Sequence, residues 1–281
     1  MTKGNRTRLF RNTNFSVGAV ITAIIVLTAA VSMVYTLEDP NRMNLSSRFQ
    51  APGRAHWFGT DQYGRDIFSR VMKGSVNSIL VGFVTVAIGM GCGILLGSLA
   101  AFYRGWVDET IMRLSDVLYG FPAVLSAILI TSILGPGVVN SMVAIGIFNI
   151  PIFARLTRST SLSVWERDYV TSAKAIGRSD AGIIFDYVLP NIVSVLVVQA
   201  TVQFAMAILA EAGLSYLGLG TQPPHASWGR MLSEAQTFMG TSAWLALFPG
   251  GAIALAVLGF NLLGDGLRDI LDPKISRAGS R

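Results

Sequence analysis

The chain has 281 residues, 52% of them apolar and 14% charged, with a mean hydropathy of +0.54. Soluble domains carry about 25% charged residues, so this deficit of charge excludes an ordinary soluble globular protein. The net charge of +6 raises nucleic-acid binding, which the placement of the charges then removes. The single cysteine, Cys92, excludes an internal disulfide framework and a Cys-based metal site.

A membrane-crossing helix needs about 20 mostly apolar residues. Six runs meet or approach that length without any Asp, Glu, Lys, Arg or His: 15–37, 76–103, 117–134, 138–154, 192–210 and 244–263. The first follows a basic segment (Lys3, Arg6, Arg8, Arg11) and contains a small-residue stretch at Ala30-Val31-Ser32. Its length exceeds the h-region of a secretory signal, about 7–15 residues, so it reads as a span rather than a cleaved leader. The second run carries Thr85, Gly89, Gly93, Gly97 and Ala101, each four residues apart. That spacing makes one small-residue face, suited either to packing within the bundle or to contact with a partner subunit. The fourth run is short and is separated from the third by the turn Gly135-Pro136-Gly137. Pro122, Pro151 and Pro249 fall in or near spans 3, 4 and 6, where they mark bends.

These runs divide the chain into a cytoplasmic N-terminus with the first span (1–37), a periplasmic loop (38–75), a transmembrane core (76–271) and a cytoplasmic tail (272–281). The division follows from the Lys and Arg residues. Fifteen of the 22 lie in 1–14, 104–116, 155–191 and 264–281, and the other seven lie in 38–75 and 211–243. The richer side is cytoplasmic. Both termini are therefore expected inside, and topology accounts for the basic balance without nucleic acid. The span interiors hold no ionisable relay of the kind a pump or ion-coupled carrier uses, and no inverted repeat is visible. This weighs against a self-contained secondary transporter. The spans also offer no polar landmark for a pathway, so substrate-binding residues stay unassigned. The sequence contains no P-loop, H-E-x-x-H or G-x-S-x-G motif, so an enzyme is not expected.

In the outer loops, His56 with Asp61, Arg65 and Asp66 reads as turn caps and salt bridges rather than a metal site. Glu211, just past the fifth run, is a candidate partner for Arg230. Trp228 and Trp244 read as interfacial anchors.

The 37-residue segment 155–191 is the most informative. It reads as two short helices divided by Gly177, the first over 164–176. Gly177 fits the left-handed position that ends a helix, and Ser179 supplies an N-cap with Asp180 in the following first turn. The second helix is expected to end near Val188, before Pro190, with Ile183, Ile184 and Tyr187 as its apolar face. Helix–glycine–helix alone fits an interfacial element lying on lipid headgroups, and its likeness to a helix-turn-helix is set aside because six spans lie beside it.

The spacing of Ala173, Gly177, Tyr187 and Leu189-Pro190 fits the frame E-A-A-x3-G-x9-I-x-L-P. Other stretches agree in order: His56-Trp57-Phe58-Gly59-Thr60-Asp61-Gln62-Tyr63-Gly64-Arg65-Asp66, Arg167-Asp168-Tyr169-Val170, Leu217-Gly218-Leu219-Gly220, Gln222-Pro223-Pro224, Trp228-Gly229, and Phe260-Asn261-Leu262-Leu263-Gly264-Asp265-Gly266-Leu267-Arg268-Asp269. From about residue 54 to 275 the chain resembles the C-type permease subunits of dipeptide, oligopeptide and nickel ABC importers. The chain departs from the frame at Thr171 and Ser172, which replace Glu and the first Ala, and at Tyr187, which replaces Ile. Thr171 cannot supply a carboxylate's charge-assisted bonds.

The resemblance implies an all-α fold of six transmembrane helices, the type I ABC importer architecture, in the bacterial inner membrane. It implies that 179–187 is a helix docked in a groove on a cytoplasmic ATPase. Thr171, Ser172, Ala173, Gly177, Ser179, Asp180, Ile183, Ile184, Tyr187, Leu189 and Pro190 are then the coupling residues. The implied partners are a second (B-type) permease, two ATPase subunits and a periplasmic solute-binding protein, besides membrane lipid. ATP and Mg belong to the ATPases and no cofactor to this chain. Peptides are the expected solute, with nickel, glutathione or opines as alternatives.

Overall fold

A computed structural model describes residues 12–271, and its regular structure is helical. Helix α1 (Thr13–Val34) is capped by Asn12, whose side chain accepts from the Phe15 amide at 3.1 Å. An irregular outer loop with one short 3-10 turn (Leu45–Ser47) leads into α2 (Ile67–Tyr103), N-capped by Asp66. Then follow α3 (Gly105–Gly120), α4 (Ala123–Leu134) and α5 (Val138–Trp165). Two short helices, α6 (Asp168–Ala175) and α7 (Asp180–Ile183), precede α8 (Leu189–Tyr216). The outer helix α9 (Trp228–Ala235) and the last span α10 (Trp244–Leu271) complete the fold.

Five helices are long and apolar enough to cross a membrane: α1, α2, α5, the continuous stretch Asp180–Tyr216, and α10. The third expected span is not one helix. Helices α3 and α4 meet at 89°, and together they make the sixth candidate. Pro122 causes the break, because a proline disfavours helical geometry in the residue before it. Phe121 is accordingly extended, with φ −93° and ψ 138°. Helix α3 carries Asp108, Glu109, Arg113 and Asp116, and two of these hold the end of α5. Arg158 makes a two-pronged ion pair with Asp108, and Arg155 Nη2 lies 2.6 Å from Asp116 Oδ1.

The small-residue face of α2 settles as intramolecular packing. Thr85 and Ala101 are buried, and the three glycines between them lie against α5. A Cβ on Gly89 would lie 2.3 Å from Asn149 Cβ, one on Gly93 2.4 Å from Phe153 Cβ, and one on Gly97 2.4 Å from the Ala154 carbonyl oxygen. The face is spent inside the chain, which corrects the partner-subunit alternative. Helices α1 and α10 also cross at backbone contact, Gly18 against Leu262 and Leu263, and Gly266 against Phe15. The first hydrophobic run is thus packed as a member of the bundle.

Candidate functional site

The segment between α5 and α8 is more helical than its length suggested. Helix α5 runs eleven residues past Ala154, and the loop proper is short. Helix α6 ends in a Schellman motif: the Arg178 amide donates to the Ala173 carbonyl at 3.1 Å and the Gly177 amide to the Lys174 carbonyl at 3.0 Å. This closure needs a left-handed residue, and Gly177 supplies it with φ +82°. Two residues on, the Ser179 side chain accepts from the Gly182 amide at 3.3 Å and starts α7, with Asp180 in the first turn. Both caps stand where the sequence placed them.

The end of α7 does not. The helix continues through a π turn (Ile184–Val188) straight into α8, so the expected stop before Pro190 is corrected. Pro190 lacks an N–H and its ring crowds the carbonyl four residues back. The wider turn accommodates it, with the Leu189 amide bonded to the Ile184 carbonyl. The Asn191 side chain donates to the Tyr187 carbonyl at 2.6 Å.

The side chains divide differently from the expected docking face. Ala173, Ile183 and Val188 are buried in one cluster with Val164, Phe153 and Leu196, and Tyr187 and Leu189 pack on it. Tyr187 lies beside Tyr169, ring centroids 6.2 Å apart. Ile184 is half-buried, and Thr171, Ser172, Asp180 and Pro190 are exposed. The Ile183–Tyr187 stripe therefore holds the segment on its own bundle. The segment's most exposed large apolar side chains are Ile176, 83% exposed, and Phe185, 68% exposed, which sequence reasoning missed. Between them Arg178 pairs with Asp186, and this partner raises the guanidinium's pKa above its ordinary value.

The outer end is locked. Asp61 caps the turn at Tyr63 and holds Arg65 Nε at 2.6 Å. Arg65 and Arg70 both reach Glu234 of α9, at 2.7 and 3.3 Å, and Arg230 reaches it at 3.1 Å. Asp66 caps α2 through the Ser69 amide at 2.7 Å and lies 3.0 Å from His56 Nδ1. The loop carboxylates thus serve as caps and ion-pair partners. Two expectations fail here. Arg230 pairs with Glu234, and Glu211 sits wholly buried inside α8, accepting from Ser215 Oγ at 2.6 Å and Thr221 Oγ1 at 3.3 Å. Trp228 is no interfacial anchor: it is buried, and its indole donates to the Val71 carbonyl at 3.0 Å. Trp244, partly buried, points its indole toward the Thr60 carbonyl at 3.4 Å.

Within the membrane region a cavity of about 480 Å³ lies among the α3–α4 elbow, α5 and α8. Tyr119, Phe121, Phe148 and Met206 are among its apolar or aromatic walls, and Asn149 and Gln203 supply the amides. The spans therefore do hold polar landmarks, contrary to expectation, because a screen for ionisable residues passes over amides.

Residues 93–277 match the family described as binding-protein-dependent transport system inner membrane component. The dipeptide transport system permease protein DppC of Alkalihalophilus pseudofirmus is 44% identical over 268 residues, covering 95% of this chain and 88% of its own. The glutathione transport system permease protein GsiD of Pectobacterium atrosepticum is 43% identical over 270 residues, covering 95% and 90%. A putative peptide transport system permease protein of Brucella abortus is 43% identical over 272 residues, covering 97% and 92%. Among solved structures, an inward-facing MetNI methionine ABC transporter matches in fold with a TM-score of 0.61 at 17% identity, over 72% of this chain and 96% of that one.

Proposed function

The chain belongs to the binding-protein-dependent transport system inner membrane components of ABC importers, and from that premise we propose that it is the permease subunit of an ATP-driven peptide importer. Hydrolysis takes place on two separate cytoplasmic ATPase subunits, which hold ATP and Mg. A second, B-type permease completes the conduit, and a periplasmic solute-binding protein delivers the solute to the ion-paired outer face. Both termini lie in the cytoplasm, on the side rich in Lys and Arg. The relatives' names favour peptides or glutathione, both amide-bearing solutes.

The observation that carries the reading is the capped α6–α7 element with Ile176 and Phe185 exposed on a polar surface. The caps make the element rigid, and its own apolar stripe anchors it to the bundle. Ile176 and Phe185 are left to fill an ATPase groove, the helix-in-groove mode of recognition. Helix α7 is continuous with α8 through the π turn. A displacement imposed on the docked element when the ATPases close therefore passes along one helix into the membrane. The bundle is then biased between inward- and outward-facing states by the difference in docking energy.

Purification of the tagged chain from mild-detergent membranes, with mass spectrometry of its partners, tests the assembly. Recovery of an ATPase and a second permease is expected. A chain recovered alone, even after crosslinking, would contradict the reading and favour a self-contained transporter.

A further inference from the structure

The cavity among α4, α5 and α8 holds an arrangement that packing does not explain. Gln203 lies near the middle of α8, only 8% exposed, and lines the cavity. Its side chain makes no hydrogen bond to any described residue. A primary amide carries two donor hydrogens and an acceptor oxygen, and those of Gln203 are left to the cavity rather than to the protein. Asn149, 6% exposed, faces the same cavity from the middle of α5. Its Nδ2 donates to the Thr85 carbonyl at 3.4 Å, which leaves its oxygen to the cavity.

We infer that this cavity holds the solute during passage, with the amides of Gln203 and Asn149 hydrogen-bonding the solute's peptide linkage. An amide side chain offers a donor and an acceptor side by side, which match the carbonyl and N–H of a peptide bond. The volume suits a small molecule, within the usual range of about 300–1,000 Å³ for ligand sites. The lining contains no carboxylate, imidazole or thiol, so a bare divalent cation would lose its water there without replacement ligands. The inference rests on the importer reading and narrows it, favouring amide-bearing solutes over nickel ions.

The test uses the complete complex in proteoliposomes, with uptake of a radiolabelled dipeptide and tripeptide mixture and ATPase activity measured together. Gln203→Met keeps the shape and removes the hydrogen bonds. The expected result is a loss of peptide uptake of roughly tenfold or more with stimulated ATPase activity retained, and partial uptake in Gln203→Asn. Normal uptake by Gln203→Met overturns the inference and leaves the importer reading intact. Absence of peptide uptake by the wild-type complex overturns the importer reading for peptides and the inference with it. A second measurement needs no variant. A dipeptide containing photoreactive leucine should label the wild-type chain around Asn149 and Gln203 under ATP turnover, and labelling confined to other helices overturns the inference.

Discussion

The two ends of this bundle hold their charged groups in different ways, buried at one and exposed at the other. At the outer end Asp61, Arg65, Arg70, Arg230 and Glu234 form one network, and Arg70, 1% exposed, is among the most deeply buried large side chains. At the α6–α7 end the backbone is as well closed, by the Gly177 Schellman turn and the Ser179 cap, yet Ile176 and Phe185 stand exposed. The outer loop end closes its charged groups within the chain, while Met43, Leu45 and Trp57 keep apolar surface exposed there. The other has a finished backbone and an unfinished surface, which is the form of an element built to be held by something else.

The comparison can be broken from either side. Glu234→Ala should have the largest effect on stability, because it leaves the buried Arg65 and Arg70 with Asp61 as their one remaining shared carboxylate, a loss of about 3 kcal/mol, the low end for breaking a buried pair. Thermal unfolding of the detergent-solubilised complex should show a markedly lower midpoint, and an unchanged midpoint would mean the outer end is not locked. Gly93→Leu comes next, since its Cβ would lie 2.9 Å from the Ala154 backbone nitrogen and α2 must separate from α5. Overpacking of this kind costs about 1–3 kcal/mol and should appear in the same melt.

Gly177→Val should cost about 1–2 kcal/mol, because a β-branched side chain resists a φ of +82°. No atom lies within 4 Å of the position a Cβ would take, so the defect is conformational and confined to the coupling element. Transport should fall well beyond what the modest drop in melting midpoint explains, and Gly177→Asn should be tolerated. Normal transport by an assembled Gly177→Val complex would contradict the role given to the turn. The smallest effect on stability belongs to Phe185→Ser, within about 0.5 kcal/mol as for other surface changes. That variant should nonetheless lose ATPase subunits during purification.

What was legible in the sequence followed from local rules. Charge-free runs located the spans, and Gly177 with Ser179 located the helix–turn–helix element, since left-handed backbone and N-caps are chosen by residue type over a few positions. Pro122 was visible as a bend, but its consequence, two helices at 89°, depends on how α3 lies against Arg155 and Arg158 of α5. An amphipathic stripe such as Ile183–Tyr187 states that a face is buried without stating against what, and the bundle itself claimed it. Glu211 and Trp228 were misplaced for a related reason: Thr221 and Val71 are brought to them by the folding of the chain, and only Ser215, one turn along α8 from Glu211, is a local partner. Gln203 and Asn149 were in plain view, and only the cavity between their helices gives two scattered amides a common meaning.

The central claim is that the exposed face of the α6–α7 element is the dock for an ATPase. Cys92 is the chain's single cysteine, so Cys92→Ser with Ala181→Cys gives one reactive position at an exposed residue one turn before Phe185, which stays in place. Treatment of membranes carrying the assembled complex with a short bifunctional crosslinker that joins a thiol to an amine should join this chain to an ATPase subunit, with a yield that changes between nucleotide-free and ATP-bound states. An assembled complex in which position 181 joins no ATPase in either state would contradict the account.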